Sequence, residues 1–182
     1  MHISNSERLQ YRPLGPDDSQ LLFELDQDPE VMRYINGGTP TTMEEIRVKY
    51  LPRLMSYSHP DKGWGMWGLT TLDNPRFIGW ILTRPHNFFN EERDDSILEI
   101  GWRLFRKDWG HGFATEAASH IMKTIERELG VSSFSALAME ENEASIRVMK
   151  KLGMKYVKTY LYKDPLGDEM CVHYETEPKE TV

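Results

Sequence analysis

The chain has 182 residues, with 39% apolar, 11% aromatic and 28% charged side chains. That balance fits a globular protein and argues against extensive disorder, and the length suits one domain, expected over 1–182 with its core at 8–176. The net charge of −7, from 22 basic and 29 acidic residues, disfavours a nucleic-acid partner held by phosphate contacts and leaves an amine substrate open.

Residues 9–14 alternate in character and predict a first strand that stops near Pro13. Pro16-Asp17-Asp18-Ser19 offers helix-capping chemistry, and Leu21, Leu22 and Leu25 give the next segment one apolar face. A short second helix is expected over 29–35, ended by Gly37-Gly38. Thr41-Thr42-Met43-Glu44-Glu45 starts a third, with acids in its first turn. Ile46, Tyr50, Leu51 and Leu54 continue its stripe, and Pro52 is expected to weaken or kink it. Residues 64–72 and 77–82 flank the turn Asp73-Asn74-Pro75-Arg76 and predict a β-hairpin. A polar loop carrying Phe88 and Phe89 is expected over 84–96, then a strand over 97–104.

The period then changes. Phe113, Ala117, Ile121, Ile125 and Leu129 recur every fourth residue and predict an amphipathic helix ended by Gly130. A strand is expected over 133–139, and a short helix over 142–152 with Ile146, Met149 and Leu152 inward. Two last strands, 155–162 and 169–176, surround the turn Asp164-Pro165-Leu166-Gly167. The polar tail, 177–182, is expected to fray. Hairpins before 97 and strand–helix–strand after it predict an α+β fold with one mixed, mostly antiparallel sheet.

The single cysteine, Cys171, forbids an internal disulfide and points to a reducing, cytoplasmic compartment. No apolar stretch approaches the ~20 residues of a membrane span, so no membrane partner is expected. The six histidines are scattered without ligand spacing, so no metal is expected.

The most informative run is Trp109-Gly110-His111-Gly112-Phe113-Ala114-Thr115-Glu116-Ala117, between a predicted strand and a predicted helix. Two glycines let the backbone approach a ligand closely, and the free amides of a helix start favour a phosphate. A dinucleotide fingerprint needs a third glycine where Thr115 stands, and no Gly-Lys-Ser/Thr follows for a nucleotide-triphosphate loop. Ordinary turn chemistry explains the glycines equally well.

This run resembles motif A of the GCN5-related N-acetyltransferases (GNAT), written Q/R-x-x-G-x-G/A, with Gly112 and Ala114 matching and Trp109 in place of the Gln or Arg. Its full form is similar to the RimJ/RimL-like branch of ribosomal-protein N-acetyltransferases. Asn142-Glu143-Ala144-Ser145, leading into Lys151-Leu152-Gly153-Met154, resembles that branch's N-x-x-S…K-L-G-F segment, and Glu99-Ile100-Gly101-Trp102 its E-I-G-aromatic strand. The resemblance runs from about Leu9 to Tyr174.

The resemblance implies a GNAT fold: a twisted sheet of about six to seven strands with about four helices, splayed between strands 4 and 5. It implies acetyl-CoA as cosubstrate and transfer of its acetyl group to a primary amine, such as a protein N-terminal α-amine or a small amine, by a monomer or homodimer. Main-chain groups of Trp102 and Leu104 would pair with the pantetheine arm. Trp109, Gly110, His111, Gly112, Phe113, Ala114 and Thr115 would hold the pyrophosphate. Asn142 and Ser145 would border the cofactor, with Ser145 also in the catalytic set. Glu99 is implied as general base, against an ion-pair reading. A non-catalytic CoA sensor is the alternative, because Met149 stands where many relatives carry an acidic tyrosine; Tyr156 and Tyr160 are possible substitutes. Tyr34, Trp67, Trp80 and the loop with Phe88 and Phe89 would line the acceptor groove.

Overall fold

The alternating segment after Arg8 forms the edge strand β1 (Leu9–Pro13), with Leu9 and Tyr11 turned inward. The computed structural model describes residues 1–177, so the expected fraying of 177–182 lies, except for Glu177, outside the described residues. The other strands are β2 (Gly65–Thr71), β3 (Phe77–His86), β4 (Asp94–Leu104), β5 (Phe134–Ala138), β6 (Lys155–Tyr162) and β7 (Glu169–Glu175). They make one seven-stranded sheet in the order β1-β2-β3-β4-β5-β7-β6. Among the described residues only the β4–β5 pair is parallel.

Among the described residues, five helices pack on the sheet. Helix α1 (Ser19–Leu25) is followed by α2 (Pro29–Asn36), which Asp28 caps by accepting from the Glu30 amide at 2.9 Å. Left-handed Gly37 ends α2. Met43–Glu45, Ile46–Tyr50 and Leu51–Tyr57 run end to end as α3. Its start is a reciprocal cap: the Glu45 amide donates to Thr42 Oγ1 at 3.1 Å, and the Thr42 amide to Glu45 Oε2 at 2.8 Å. The Leu51 amide reaches back to the Ile46 carbonyl, so the helix widens by a π turn just before Pro52, which has no N–H to give. Helices α4 (Phe113–Leu129) and α5 (Glu143–Lys151) end at Gly130 and near Gly153, as their spacing predicts.

The central strands are covered on both faces, whereas the edge strand β6 is mostly exposed. Leu98, Ile100, Ala117, Ile121, Ile125 and Met149 belong to the core under α4 and α5. Leu22, Leu25, Ile46, Leu54, Tyr57 and Trp80 form a second core under α1–α3. No helix among the described residues is long and apolar enough to cross a membrane.

One expectation needs correction. The loop expected over 84–96 is shorter, because β3 continues to His86 and β4 begins at Asp94. Arg84 and His86 read as loop residues but are strand residues with buried partners. Arg84 Nη2 donates to Glu99 Oε1 at 2.7 Å, and His86 Nδ1 lies 2.8 Å from Ser135 Oγ. The chain turns at Asn87, with φ of 56°. The helices among the described residues fall where the sequence places them, α1 and α2 as separate short elements.

Strands β4 and β5 share two rungs, Leu98↔Phe134 and Glu99↔Ser135, and then diverge. Gly79 of β3 holds β4 beside that divergence: a Cβ there would run into the Arg103 carbonyl and Leu104 Cα.

Candidate active site

The divergence of β4 and β5 opens a cleft of about 280 Å³. The Leu98 amide donates to the Ser133 carbonyl at 3.0 Å. The two-residue period of a strand therefore turns the amides of Ile100, Trp102 and Leu104 to the same edge. Beyond Glu99 that edge has no neighbouring strand. Trp102 and Leu104 both line the cleft. The Leu104 carbonyl is taken by Trp109 Nε1 at 2.9 Å, which fixes the half-exposed Trp109 ring at the cleft wall.

The turn between β4 and α4 closes one end. Gly110 and Gly112 have φ of 78° and 79°, a left-handed conformation that strains other residues. Buried Asp108 anchors the approach to this turn through Arg76, which grips both carboxylate oxygens. No hydrogen bond among the described residues occupies the amides of Gly110, His111, Gly112, Phe113 or Ala114. These donors sit at the positive end of a 17-residue helix. A Cβ at Gly110 would meet no protein atom within 4 Å, so the space beside the turn is open. A nest of free amides beside open space fits a pyrophosphate, the group by which the acetyl-CoA expected from the sequence would be held.

Gly110, Gly112, Phe113, Ala114 and Thr115 line the cleft. His111 does not: its ring is exposed beside Phe113, and its carbonyl accepts from Arg8 Nη1 at 2.9 Å. Asn142 and Ser145 form part of the opposite wall. Asn142 Oδ1 is already used as a helix cap, accepting from the Ser145 amide at 3.2 Å.

Sequence reasoning missed several wall residues. Ala144, Arg147, Val148 and Lys151 occupy one face of α5 and place two cations against the cleft. Their i, i+3, i+4, i+7 spacing was the available signal. Glu30, Val31 and Ile35 of α2 join Tyr34 at the other rim.

The remaining expected residues lie elsewhere. Glu99 and Gly101 face α1–α3, opposite Trp102 and Leu104, because neighbouring strand residues point to opposite faces; Arg103 shares that side, where it pairs with Asp26 at 2.6 Å, and also reaches the cleft wall. Glu99 does not line the cleft and is ion-paired with Arg84, each side chain 9% exposed. Its second oxygen, Oε2, has no partner among the described residues. Trp67 is 1% exposed in the core and donates from Nε1 to Thr83 Oγ1 at 3.2 Å. Trp80 is buried in the second core under the Arg103 guanidinium. Neither tryptophan reaches an acceptor in the cleft. Phe88 and Phe89 pack edge-on against Tyr57. Met149 is buried in the core rather than at the cleft. Tyr156 is exposed beside Thr159, while Tyr160 lies near Asn87, its phenol pushed up by burial.

A family model described as an acetyltransferase (GNAT) domain matches residues 8–155. The FsC-acetyl coenzyme A-N(2)-transacetylase of Aspergillus fumigatus is 30% identical over 165 residues, covering 87% of this chain and 67% of that protein. The ribosomal L7/L12 alpha-N-protein acetyltransferase RimL, solved with coenzyme A, superposes with a TM-score of 0.72 at 16% identity over 96% of this chain and 97% of its own. An aminoglycoside acetyltransferase, also solved with coenzyme A, gives 0.70 at 17% identity over 92% and 94%. Both solved structures share the fold.

Proposed function

The chain belongs to the GNAT acetyltransferase family, and on the premise that it is an acetyl-CoA-dependent N-acetyltransferase, we propose that its acceptor is an amine of low pKa, foremost a protein N-terminal α-amine. The observation that carries this reading is the shortage of bases in the cleft. Of the carboxylates on its wall, Asp108 is held by Arg76, and Glu30 lies at the rim beside Arg33 at 3.7 Å. At pH 7.5 an α-amine with pKa ~7.8 is about one-third neutral, whereas a lysine amine at ~10.4 is neutral in about one molecule in a thousand. A site without a free base suits the former and asks chiefly for orientation.

Acetyl-CoA supplies a thioester carbonyl, which the amine lone pair attacks; a C–N bond forms, the C–S bond breaks, and the proton lost by the amine passes through water to the departing sulfur, giving free coenzyme A. In this scheme the turn amides from Gly110 to Ala114 hold the pyrophosphate, with Thr115 beside them. Arg147 and Lys151 add positive charge opposite. The amides of Trp102 and Leu104 pair with the pantetheine arm, and one of them polarises the carbonyl oxygen. Ser145 offers a hydroxyl to the leaving thiolate in the absence of a tyrosine at Met149. Tyr34 and Glu30 meet the acceptor. Glu99 serves as the ion-pair partner of Arg84 rather than as the base. The chain acts as one catalytic domain, as a monomer or homodimer.

A small-molecule amine is the second reading, favoured by the N(2)-transacetylase relative. Coenzyme A release, measured against N-terminal peptides, lysine peptides, polyamines and aminoglycosides, separates the two. Saturable release with N-terminal peptides, rising with pH to a plateau above the α-amine pKa, is expected. Saturation by polyamines or aminoglycosides alone would overturn the α-amine proposal.

A further inference from the structure

We propose that Arg8, more than 100 residues upstream of the turn, is a positioning residue that sets the affinity of the cleft for pyrophosphate. The inference rests on the reading that the Gly110–Gly112 turn receives that group. Arg8 precedes β1, and its guanidinium makes three contacts at the start of α4. Nε donates to Glu116 Oε2 at 2.6 Å. Nη1 donates to the His111 carbonyl at 2.9 Å. The guanidinium carbon stands 4.5 Å from the centre of the Phe113 ring. A Cβ on Gly112 would lie 3.6 Å from Nη2, so the side chain lies directly against the turn.

The bond to His111 fixes a direction. In a trans peptide the carbonyl of one residue and the amide N–H of the next point opposite ways. Arg8 holds the His111 carbonyl on the outer side of the turn. The Gly112 N–H is thereby aimed the other way, and Gly112 lines the cleft. Without that hold the peptide joining His111 to left-handed Gly112 is less restrained, and an aimed donor is lost.

The bond to Glu116 adjusts charge. Glu116 lies in the first turn of α4, where a full negative charge opposes an incoming dianion. Burial pushes its carboxyl up, but donors from Ser6 Oγ and from the amide and guanidinium of Arg8 outweigh this and hold it below the usual range. It is therefore ionised at neutral pH, and Arg8 supplies the cancelling charge. The pair is partly exposed, at 42% and 16%, so it adds little to stability. Its placement serves the ligand more than the fold.

The test compares binding of acetyl-CoA with binding of acetyl-pantetheine, which lacks the pyrophosphate, by calorimetry. The wild type should prefer acetyl-CoA; equal affinity would overturn the turn assignment itself. Arg8→Met should weaken acetyl-CoA at least tenfold, leave acetyl-pantetheine unchanged and lower the melting temperature only slightly. Arg8→Met/Glu116→Gln should recover part of that loss, because the uncancelled charge is gone. Arg8→Lys should also recover part, through charge without the fork. Unchanged acetyl-CoA affinity in Arg8→Met, or equal losses for both ligands, would overturn the role of Arg8.

Discussion

Arg84 and Glu99 face each other across the β3–β4 ladder, Nη2 to Oε1 at 2.7 Å, beneath the Tyr57 and Phe89 rings. Removing one charge of a buried pair leaves the other without compensation, at a cost of about 3–5 kcal/mol. Glu99→Gln should therefore lower the unfolding free energy measured in urea by an amount in that range, and the midpoint with it. Turnover per folded molecule should persist and keep its pH profile. An unchanged midpoint with turnover abolished would make Glu99 the base after all.

The glycine turn predicts a different pattern. Gly110 has open space around its Cβ position, so Gly110→Val meets no protein clash and suffers mainly from its φ of 78°. Such strain costs about 1–3 kcal/mol. The added side chain occupies the place of the ligand, so coenzyme A affinity should fall at least tenfold. Chemical denaturation and calorimetry on the same preparation separate the two effects. A large stability loss with affinity intact would place the pyrophosphate elsewhere.

Stability should also fall on the acid side. His86 and His173 stack at 4.7 Å in the sheet interior. Burial lowers the pKa of His173 to about 4, helped by His86 and Lys158, although Glu175 Oε1 stands 2.9 Å from its Nε2. Burial lowers His86 as well, against the opposing charges of Glu99, Glu175 and Asp94. A depressed folded-state pKa means the unfolded chain takes up the proton first. The contribution is complete above the ordinary value of ~6.5 and is lost as pH falls from there towards about 4 for His173. The expected slope is about 1.4 kcal/mol per pH unit for each proton. His173→Phe should flatten the unfolding free energy over that window; an unaltered slope would show that other groups carry it.

Much of the scaffold was legible because its signals are local. The four-residue recurrence from Phe113 to Leu129 and the stop at Gly130 define α4 without help from distant residues. The glycines at 110 and 112 announced a turn for the same reason. What failed depended on partners far away in the chain. Arg84 and His86 look like loop residues until Glu99 and Ser135 are seen beside them. Trp67 and Trp80 read as groove aromatics because a strand covered on both faces hides which side is core. Glu99 was open to two readings, and the ion-pair partner Arg84, one strand away, is invisible until the β3–β4 register is known. Arg8 carried no sequence signal, since nothing in its neighbourhood mentions a turn near position 111.

The two rungs joining β4 to β5 have a consequence for the protein without its cosubstrate. Past Glu99 the strand has no neighbouring strand among the described residues, although Trp109 takes the Leu104 carbonyl, and an unpaired strand edge is a template for an extended chain. Acetyl-CoA laid along that edge would act as a surrogate strand, completing the sheet while presenting its thioester. The ligand-free protein therefore carries an aggregation-prone edge in the middle of its sheet, shielded only by the rims of α2 and α5, and shelf life in storage should track the supply of coenzyme A.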